Sequence, residues 1–444
     1  MSVISDVAAG ANPWWRQPLE RNFRGIRRRS LHESLLRTVQ SVGDRRATVL
    51  VGPRQVGKTT LLRQLAEDLL DAGWPPAGVT YFDFSDDRLT TTVTARDVLD
   101  AGPPGLHADR PRIFLLDEIG RFEGWAIWLK QAIDEGTSRF VVTDSVASLL
   151  HDGSRESGQG RWDLEVMETL SFREYLTLRG FEPGLPVLSE APDPFASYLQ
   201  TGGFPEFLLD QRGPRVRERI RADIADRAIL KDLLRYDVDV ERVKRLFVYL
   251  VQASGAIFDA VARARDLGAD PRTVRDWVRL LQDTLLVHEL RPFQKGAAST
   301  LRGKSRFYAS DPVLIAAFAN APDPVADPGV VGQMFEAAVY RELREVCREI
   351  GAETSYYRFR DDLEIDFVIS SDRGSVAYEV TSAQTVREDK IRALLRARER
   401  SGVGSATLVY GGGLSQIVEG VQVVPLAQFL LAERSRIASG ALLP

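Results

Sequence analysis

The chain has 444 residues, of which 44% are hydrophobic and 27% charged, with a formal net charge of −4. That length suits about three domains with a core of normal size, and the acidic balance excludes a general polycation, so any nucleic-acid contact has to come from a local basic surface. The single cysteine, Cys347, excludes a disulfide framework and Cys-type zinc sites, and the four histidines (His32, His107, His151, His288) show no metal-ligand spacing.

Met1 to Pro13 lacks a basic stretch followed by an apolar run, so no secretory signal is read. No apolar run approaches the ~20 residues that span a bilayer. The expectation is a soluble, cytoplasmic protein without a membrane partner. Residues 1–30 read as an N-terminal arm. Its Arg24, Arg27, Arg28 and Arg29 are read as solvated rather than as a binding patch, and Trp14 and Trp15 have the bulk to dock it on the first domain.

An amphipathic helix follows from His32 to Val42. Ala47-Thr-Val-Leu-Val51 is short, apolar and β-branched, and stops at Gly52-Pro53, which predicts a buried strand. A helix is predicted from Lys58 to about Ala72 and another from Trp125 to Glu135. Further strands are predicted at Val79–Phe84, Arg112–Asp117 and Phe140–Asp144. Strands alternating with helices predict an α/β domain with a mainly parallel sheet covered on both faces.

Between the first strand and its helix stands Gly52-Pro53-Arg54-Gln55-Val56-Gly57-Lys58-Thr59-Thr60, which matches G-x-x-x-x-G-K-[ST]. Strand before and helix after are the context that makes this a P-loop. Successive backbone N–H groups of such a turn face one anion. The helix start adds unpaired N–H groups and a positive dipole end. Lys58 reaches the outer phosphates as a point charge, and the Thr59 hydroxyl ligates magnesium. The expected ligands are ATP and Mg2+.

The second half of such a site is an acid ending another apolar strand, and Leu116-Asp117-Glu118 supplies it. Asp117 is expected to hold magnesium through water and Glu118 to act as general base. Thr143, at the end of the next strand, is expected between the attacking water and the terminal phosphate. Arg161, in Gly158-Gln-Gly160-Arg161, is a candidate for transition-state charge, in cis or across a subunit boundary; the alternative is a surface arginine in a glycine loop.

These segments, with Thr169-Leu-Ser-Phe-Arg-Glu-Tyr175, Gly202-Gly-Phe-Pro-Glu206 and Glu364-Ile-Asp-Phe-Val368, resemble bacterial and archaeal ATP-binding proteins that join an AAA-type P-loop domain to a C-terminal DUF4143 region. The resemblance covers roughly residues 35–385. It implies an AAA-like ATPase core, a helical, winged-helix-like middle and a restriction-endonuclease-like end. Where relatives often carry Thr-Gly-Ser, this chain has Thr143-Asp144-Ser145, and the added carboxylate bears on the assignment of Thr143.

Beyond residue 170 the pattern turns helical, with prolines 183, 186, 192 and 194 marking a linker. Residues 245–293 read as three helices and a strand. The third helix opens with Asp270 as N-cap and Pro271 at its first position. Val274, Trp277, Val278 and Leu281 keep apolar spacing, while Arg272, Thr273, Arg275 and Arg279 are polar candidates for DNA contact, as on a helix-turn-helix recognition helix. The alternative is a protein-interaction domain with solvated arginines.

In the last region Glu336 on a helix, Asp366 on a strand and Glu379 on the next resemble a PD-(D/E)XK nuclease fold, whose carboxylates hold magnesium beside a scissile phosphate. That fold's lysine falls on Thr381, which supplies no cation. Lys390 on the following helix is a substitute from another backbone position and is not relied on, so a vestigial site is expected. The expected domains are 1–30, an arm; 31–185, the P-loop ATPase; 186–240, a helical connector; 241–322, winged-helix-like; and 323–444, nuclease-like. The functional expectation is an ATP-hydrolysing, DNA-associated motor or switch, with a homo-oligomer or protein partner open. The alternatives are a nucleotide-bound interaction scaffold in a defence or toxin–antitoxin setting, and an ATP-regulated, metal-dependent nuclease.

Overall fold

The computed structural model describes residues 3–17, 22–23, 25–41, 46–89, 95–100, 112–122, 124–136, 138–145, 160–184, 193–208, 214–233, 236–293, 304–359, 363–372, 374–432 and 434–442. The chain packs as two compact units, Met1–Glu168 and Thr169–Pro444. Residues 169–184, grouped by sequence with the P-loop domain, pack with the second unit.

The first unit is built on a parallel sheet of β1 (Ala47–Val51), β2 (Val79–Asp83), β3 (Arg112–Asp117), β4 (Ser138–Asp144) and β5 (Trp162–Val166). Its order is β2-β3-β4-β1-β5, and every neighbouring pair is parallel. A parallel sheet covered on both faces needs strands apolar on both sides. Val49, Leu50 and Val51 of β1 and Ile113 to Leu116 of β3 are accordingly buried. The helix Lys58–Asp71 buries Leu61, Leu62, Leu65 and Leu69, spaced along one face. Sequence reasoning missed β5, whose Trp-Asp-Leu-Glu-Val alternates because it is an edge strand; Leu164 stays half exposed.

The arm is anchored, not loose. Helix Val3–Ala11 leads to Asn12, whose side-chain amide brackets Tyr81 on the opposite edge strand, β2. Asn12 Nδ2 donates to the Tyr81 carbonyl and Asn12 Oδ1 accepts the Tyr81 N–H, both at 2.7 Å. One side chain thus satisfies backbone groups that an edge strand would leave open. The Trp14 and Trp15 indoles both donate to the Val79 carbonyl, at 3.0 and 3.1 Å.

The reading of the arginine cluster as solvated is corrected at two positions. Arg28 pairs with Asp68 at 2.6 Å, and buried Arg29 donates to the carbonyls of Val56 and Glu168 at 3.0 and 2.9 Å. The reason is steric: the arm crosses the helix that follows the P-loop, which brings Asp68 and the loop carbonyls within reach. Arg27 is exposed, and Arg24 lies outside the described residues.

In the second unit, helices Val240–Gln252, Ala260–Leu267 and Pro271–Asp283 are each N-capped by an aspartate, Asp239, Asp259 and Asp270. They lead into the antiparallel pair β6 (Val287–Pro292) and β7 (Arg306–Ala309). This pair continues into a larger sheet with β8 (Glu353–Phe359), β9 (Leu363–Ser371), β10 (Gly374–Thr381), β11 (Ser405–Tyr410), β12 (Gln416–Val418) and β13 (Val421–Pro425). The eight-stranded order is β12-β13-β11-β10-β9-β8-β6-β7, with β6 joined in parallel to β8. Ile391, Leu394 and Ala397 of helix Glu388–Ser401 pack on Ile365, Val368, Ala377 and Leu408 of this sheet.

Two buried charges fix the segments around 170 and 203. Asp311 accepts the N–H of Gly203 at 2.8 Å and that of Val313 at 2.9 Å. Arg341 donates to the Thr169 carbonyl through Nη2 at 2.6 Å and Nε at 3.1 Å, and pairs with Glu342 and Glu345. Gly202 has φ +69°, and a Cβ there would lie 2.4 Å from Val313 Cγ1 and 2.5 Å from Asp311 Oδ1, so only glycine fits. The motifs at Thr169–Tyr175 and Gly202–Glu206 therefore have a packing role in this chain.

Candidate functional site

The parallel sheet gathers polar residues at the C-terminal ends of its strands, where open α/β sheets bind ligands. The loop 52–57 leaves β1. Gln55 and Gly57 have φ of 67° and 98°, the left-handed conformations from which anion-binding turns are built. A Cβ on Gly52 would lie 2.4 Å from the Met167 carbonyl oxygen, so the loop's first position admits no side chain. Lys58 is buried, and its Nζ donates to the Gly52 and Pro53 carbonyls at 2.6 and 2.8 Å. The ammonium is thus held inside the turn. Val56 is buried and its carbonyl accepts from Arg29, while Thr59 is exposed and Thr60 half-buried.

Two strands away, Asp117 ends β3. With β4 between them, the ends of β1 and β3 are roughly 10 Å apart. Asp117 is buried, accepts from the Thr143 hydroxyl, and accepts from the Tyr81 hydroxyl at 3.0 Å. The Glu118 N–H donates to Thr143 Oγ1 at 3.2 Å. The expected sensor, Thr143, is therefore engaged with the acids themselves. Asp144 pairs in register with Val51, and its Oδ1 accepts the Ser145 N–H at 2.6 Å, which ties this carboxylate into its own turn.

Glu118 has φ +51°, a left-handed conformation that costs a non-glycine residue on the order of 1–3 kcal/mol and is kept only where surroundings enforce it. The enforcing contacts are two ion pairs, Arg54 Nη1 to Oε1 at 3.0 Å and Arg121 Nε to Oε2 at 2.9 Å. Burial pushes the carboxyl up, but Arg54, Arg121 and Lys58 outweigh it and hold Glu118 below the ordinary range. Asp83, which ends β2 in register with Asp117, is pushed up by burial and by the neighbouring Asp117 and Glu118. Sequence reasoning missed Tyr81, Asp83 and Arg121. Asp83 had a signal, since it ends an apolar strand just as Asp117 does.

Arg161 is not brought to this edge. The Ala47 N–H donates to its carbonyl, so it lies beside the start of β1, roughly 16 Å of strand from the loop. Its Nε pairs with Asp134 at 3.0 Å. The expected role in cis is therefore withdrawn, because the parallel register sets Arg161 at the opposite edge of the sheet. Gly158 and Gln159 lie outside the described residues.

Among the described residues, no group of three or more His, Cys, Asp or Glu is arranged to hold a metal ion. The loop nonetheless fits a triphosphate with its magnesium: a left-handed turn, a buried ammonium, an exposed threonine and, at the end of β3, a buried aspartate. Magnesium on phosphates needs few protein ligands.

In the second unit, Arg272, Arg275 and Arg279 are exposed on the face of their helix opposite buried Val274, Trp277, Val278 and Leu281; Thr273 is half-buried. Arg279 pairs with Asp276 at 3.1 Å. Glu336, Asp366 and Glu379 come together electrostatically. Burial and Asp366 push Glu336 well above the ordinary range, burial raises Asp366, and burial with Asp366 pushes Glu379 up to about 8. The Tyr308 hydroxyl donates to Glu336 at 3.1 Å, and Asp366 Oδ2 accepts the Val380 N–H at 2.9 Å. Lys390, read as a substitute from another backbone position, forms an ion pair with Glu379. It stands on the first turn of helix Glu388–Ser401, which Ile391 seats on the sheet beside β10. Thr381 ends β10 and brings no charge.

Residues 44–176 match the family model of the AAA domain (AAA_14), residues 193–324 that of a domain of unknown function (DUF8612), and residues 331–429 that of a domain of unknown function (DUF4143). The AAA domain followed by DUF4143 is the architecture that the motifs resemble. An uncharacterized protein of Haemophilus influenzae is 22% identical over 271 residues, covering 59% of this chain and 66% of that protein. An uncharacterized protein of Mycobacterium tuberculosis is 23% identical over 349 residues, covering 76% of this chain and 70% of that one.

Among solved structures, the Aeropyrum pernix Orc1 protein in complex with DNA is 14% identical, with 66% of this chain and 91% of that chain covered and a TM-score of 0.33. AMPPCP-bound DnaA from Aquifex aeolicus is 17% identical, with 57% and 86% covered and a TM-score of 0.25. No helix among the described residues is long and apolar enough to cross a membrane.

Proposed function

We propose that the first unit binds ATP with magnesium and hydrolyses it, and that the second unit couples this to DNA. The observation that carries the reading is the meeting of loop and acid: Arg54 of the P-loop reaches Glu118 beyond β3, with Asp117 and Thr143 hydrogen-bonded beside them. Loop amides and Lys58 bind the phosphates, while Thr59 and Asp117 hold magnesium. Bound magnesium neutralises phosphate charge and aligns the phosphoryl group. Glu118 orients the attacking water and takes its proton. Thr143 fixes Asp117 and the Glu118 backbone. Tyr81 donates to Asp117 and so sets the direction of its other oxygen.

The test is phosphate release by the full chain, with and without duplex, forked and single-stranded DNA, beside Lys58→Ala and Glu118→Gln. Lys58→Ala is expected to lose nucleotide binding, and Glu118→Gln to bind but not turn over. Absence of turnover in the parent chain under every condition removes the reading.

The exposed face carrying Arg272, Arg275 and Arg279, after helices in the order of a helix-turn-helix and before an antiparallel pair, supports a winged-helix reading with DNA contact. A second reading, a metal-dependent nuclease controlled by ATP, is favoured by the Lys390–Glu379 ion pair, which brings an ammonium where Thr381 has none. Magnesium- or manganese-dependent nicking that vanishes in Asp366→Ala and Lys390→Met supports it. Its absence leaves these residues a scaffold for binding.

A further inference from the structure

Arg54 belongs to the P-loop, yet its guanidinium turns away from the loop's interior toward the acid beyond β3. Its Nη1 lies 3.0 Å from Glu118 Oε1, while Arg121 Nε lies 2.9 Å from Oε2. Both oxygens of the candidate base are therefore engaged by cations. A carboxylate held this way is a weak acceptor for water, because each ion pair occupies lone pairs that a water would need. The Arg54 and Glu118 side chains are only 13% and 23% exposed, so the pair is partly withdrawn from the solvent that screens surface charges.

If Glu118 is the base, Arg54 also stands close to the terminal phosphate. A general base works on a water at hydrogen-bond distance, so Glu118 and the phosphoryl group it serves are separated by about two such lengths, roughly 6 Å. A guanidinium already touching Glu118 crosses that gap by side-chain rotation. Its planar fork matches phosphate as well as carboxylate. A terminal phosphate carries more charge than one carboxylate, so the two anions compete for the same donor. Arg121 is the poorer candidate: it is 39% exposed and lies beyond the acid, outside the loop.

We propose that Arg54 is a catalytic residue that passes from Glu118 to the terminal phosphoryl group of bound ATP, a role that rests on the ATP-hydrolysis reading above. The transfer frees Oε1 of Glu118 to accept the water proton. The water oxygen forms its bond to the γ-phosphorus as the bond from that phosphorus to the β–γ bridging oxygen breaks. The electron pair of the broken bond leaves with ADP, and the proton passes through Glu118 to the phosphate product. Arg54 offsets the negative charge that builds on the transferring oxygens. One residue thus restrains the base and, on arrival of the γ-phosphate, both releases it and stabilises the transition state.

The test is the ratio of affinities for the non-hydrolysable triphosphate AMPPNP and for ADP, both with magnesium, on the full chain. Parent, Arg54→Ala, Arg54→Lys, Glu118→Gln and the double variant Arg54→Ala/Glu118→Gln are compared, with circular dichroism as a check on folding. Glu118→Gln, which removes the rival anion, is expected to raise the preference for triphosphate several-fold. Arg54→Ala is expected to lower it by about tenfold, the scale of a charge-assisted contact, and in the double variant the gain from Glu118→Gln disappears. Arg54→Lys recovers part of the preference.

In phosphate release, Arg54→Ala is expected to fall by about 10³-fold, the lower end for a transition-state arginine. An unchanged affinity ratio in Arg54→Ala, additive effects in the double variant, or turnover that rises in Arg54→Ala overturns the proposal. A parent chain that shows the binding pattern but releases no phosphate overturns the hydrolysis reading and the catalytic role with it, while the Arg54–phosphate contact stands.

Discussion

Asn12 and Tyr81 are joined by two hydrogen bonds of 2.7 Å each, so the N-terminal arm closes the outer edge of the parallel sheet through one side-chain amide. The same tyrosine donates from its hydroxyl to Asp117 at 3.0 Å. Asn12→Ala leaves a buried N–H and C=O unsatisfied and is expected to destabilise the first unit by about 2–4 kcal/mol. Calorimetry or urea unfolding checks this. Tyr81→Phe keeps the packing and removes only the hydroxyl, so it is expected to leave stability within about 1 kcal/mol and to weaken magnesium-dependent nucleotide binding.

Gly52→Ala is expected to abolish nucleotide binding without unfolding the second unit. The added Cβ meets the Met167 carbonyl at 2.4 Å, a contact that only backbone movement relieves. That movement displaces the first turn of the loop. Titration with a fluorescent ATP analogue, beside a thermal melt, separates lost binding from lost folding.

Asp311→Ala is expected to cost about 2–4 kcal/mol, since the Gly203 and Val313 N–H groups then lack acceptors. The effect depends on pH. Burial raises the Asp311 carboxyl above its ordinary 3.8, so between that value and the folded one the native state binds more protons than the unfolded state. Stability from this group therefore falls as pH rises through that window. Asp311→Asn, which does not ionise, is expected to remove this component in unfolding titrations at pH 4 and pH 7.

The triple variant Arg272→Ala/Arg275→Ala/Arg279→Ala is expected to weaken duplex binding at low salt. It also flattens the dependence of affinity on salt by about 0.9 in slope for each arginine that neutralises a phosphate. An unchanged slope assigns the helix to protein contact instead. The buried face of the helix is untouched, so the fold is expected to survive.

What was legible in the sequence was what is local. The P-loop is contiguous, and a strand of unbroken apolar residues ending in Asp117-Glu118 announces itself through composition alone. Residues whose roles are set by register were not legible. Arg161 stands near the right elements in sequence, but the pairing of Ala47 with Trp162 sets it at the wrong end of the sheet. Lys390 lies eleven positions beyond Glu379, and only the seating of Ile391 on the sheet turns that distance into an ion pair. Asp311 caps its own helix locally, but its bond to Gly203 and that of Arg341 to Thr169 reach over a hundred residues or more, and no local pattern announces them. Arg54 was read as one more loop residue, because a motif records which amides face the anion and not where a side chain between them points.

The hydrogen bonds between β6 and β8 have a thermodynamic consequence. A boundary drawn at residue 322 by composition cuts through one sheet, and an excised 241–322 fragment would present the raw flank of β6 to solvent or to another molecule. Such a piece is expected to self-associate, whereas Thr169–Pro444 is expected to melt in one calorimetric transition. Any truncation meant to separate the arginine-bearing helix from the carboxylate cluster measures loss of cooperativity rather than loss of a part. Point substitutions are the sound way to dissect this half of the chain.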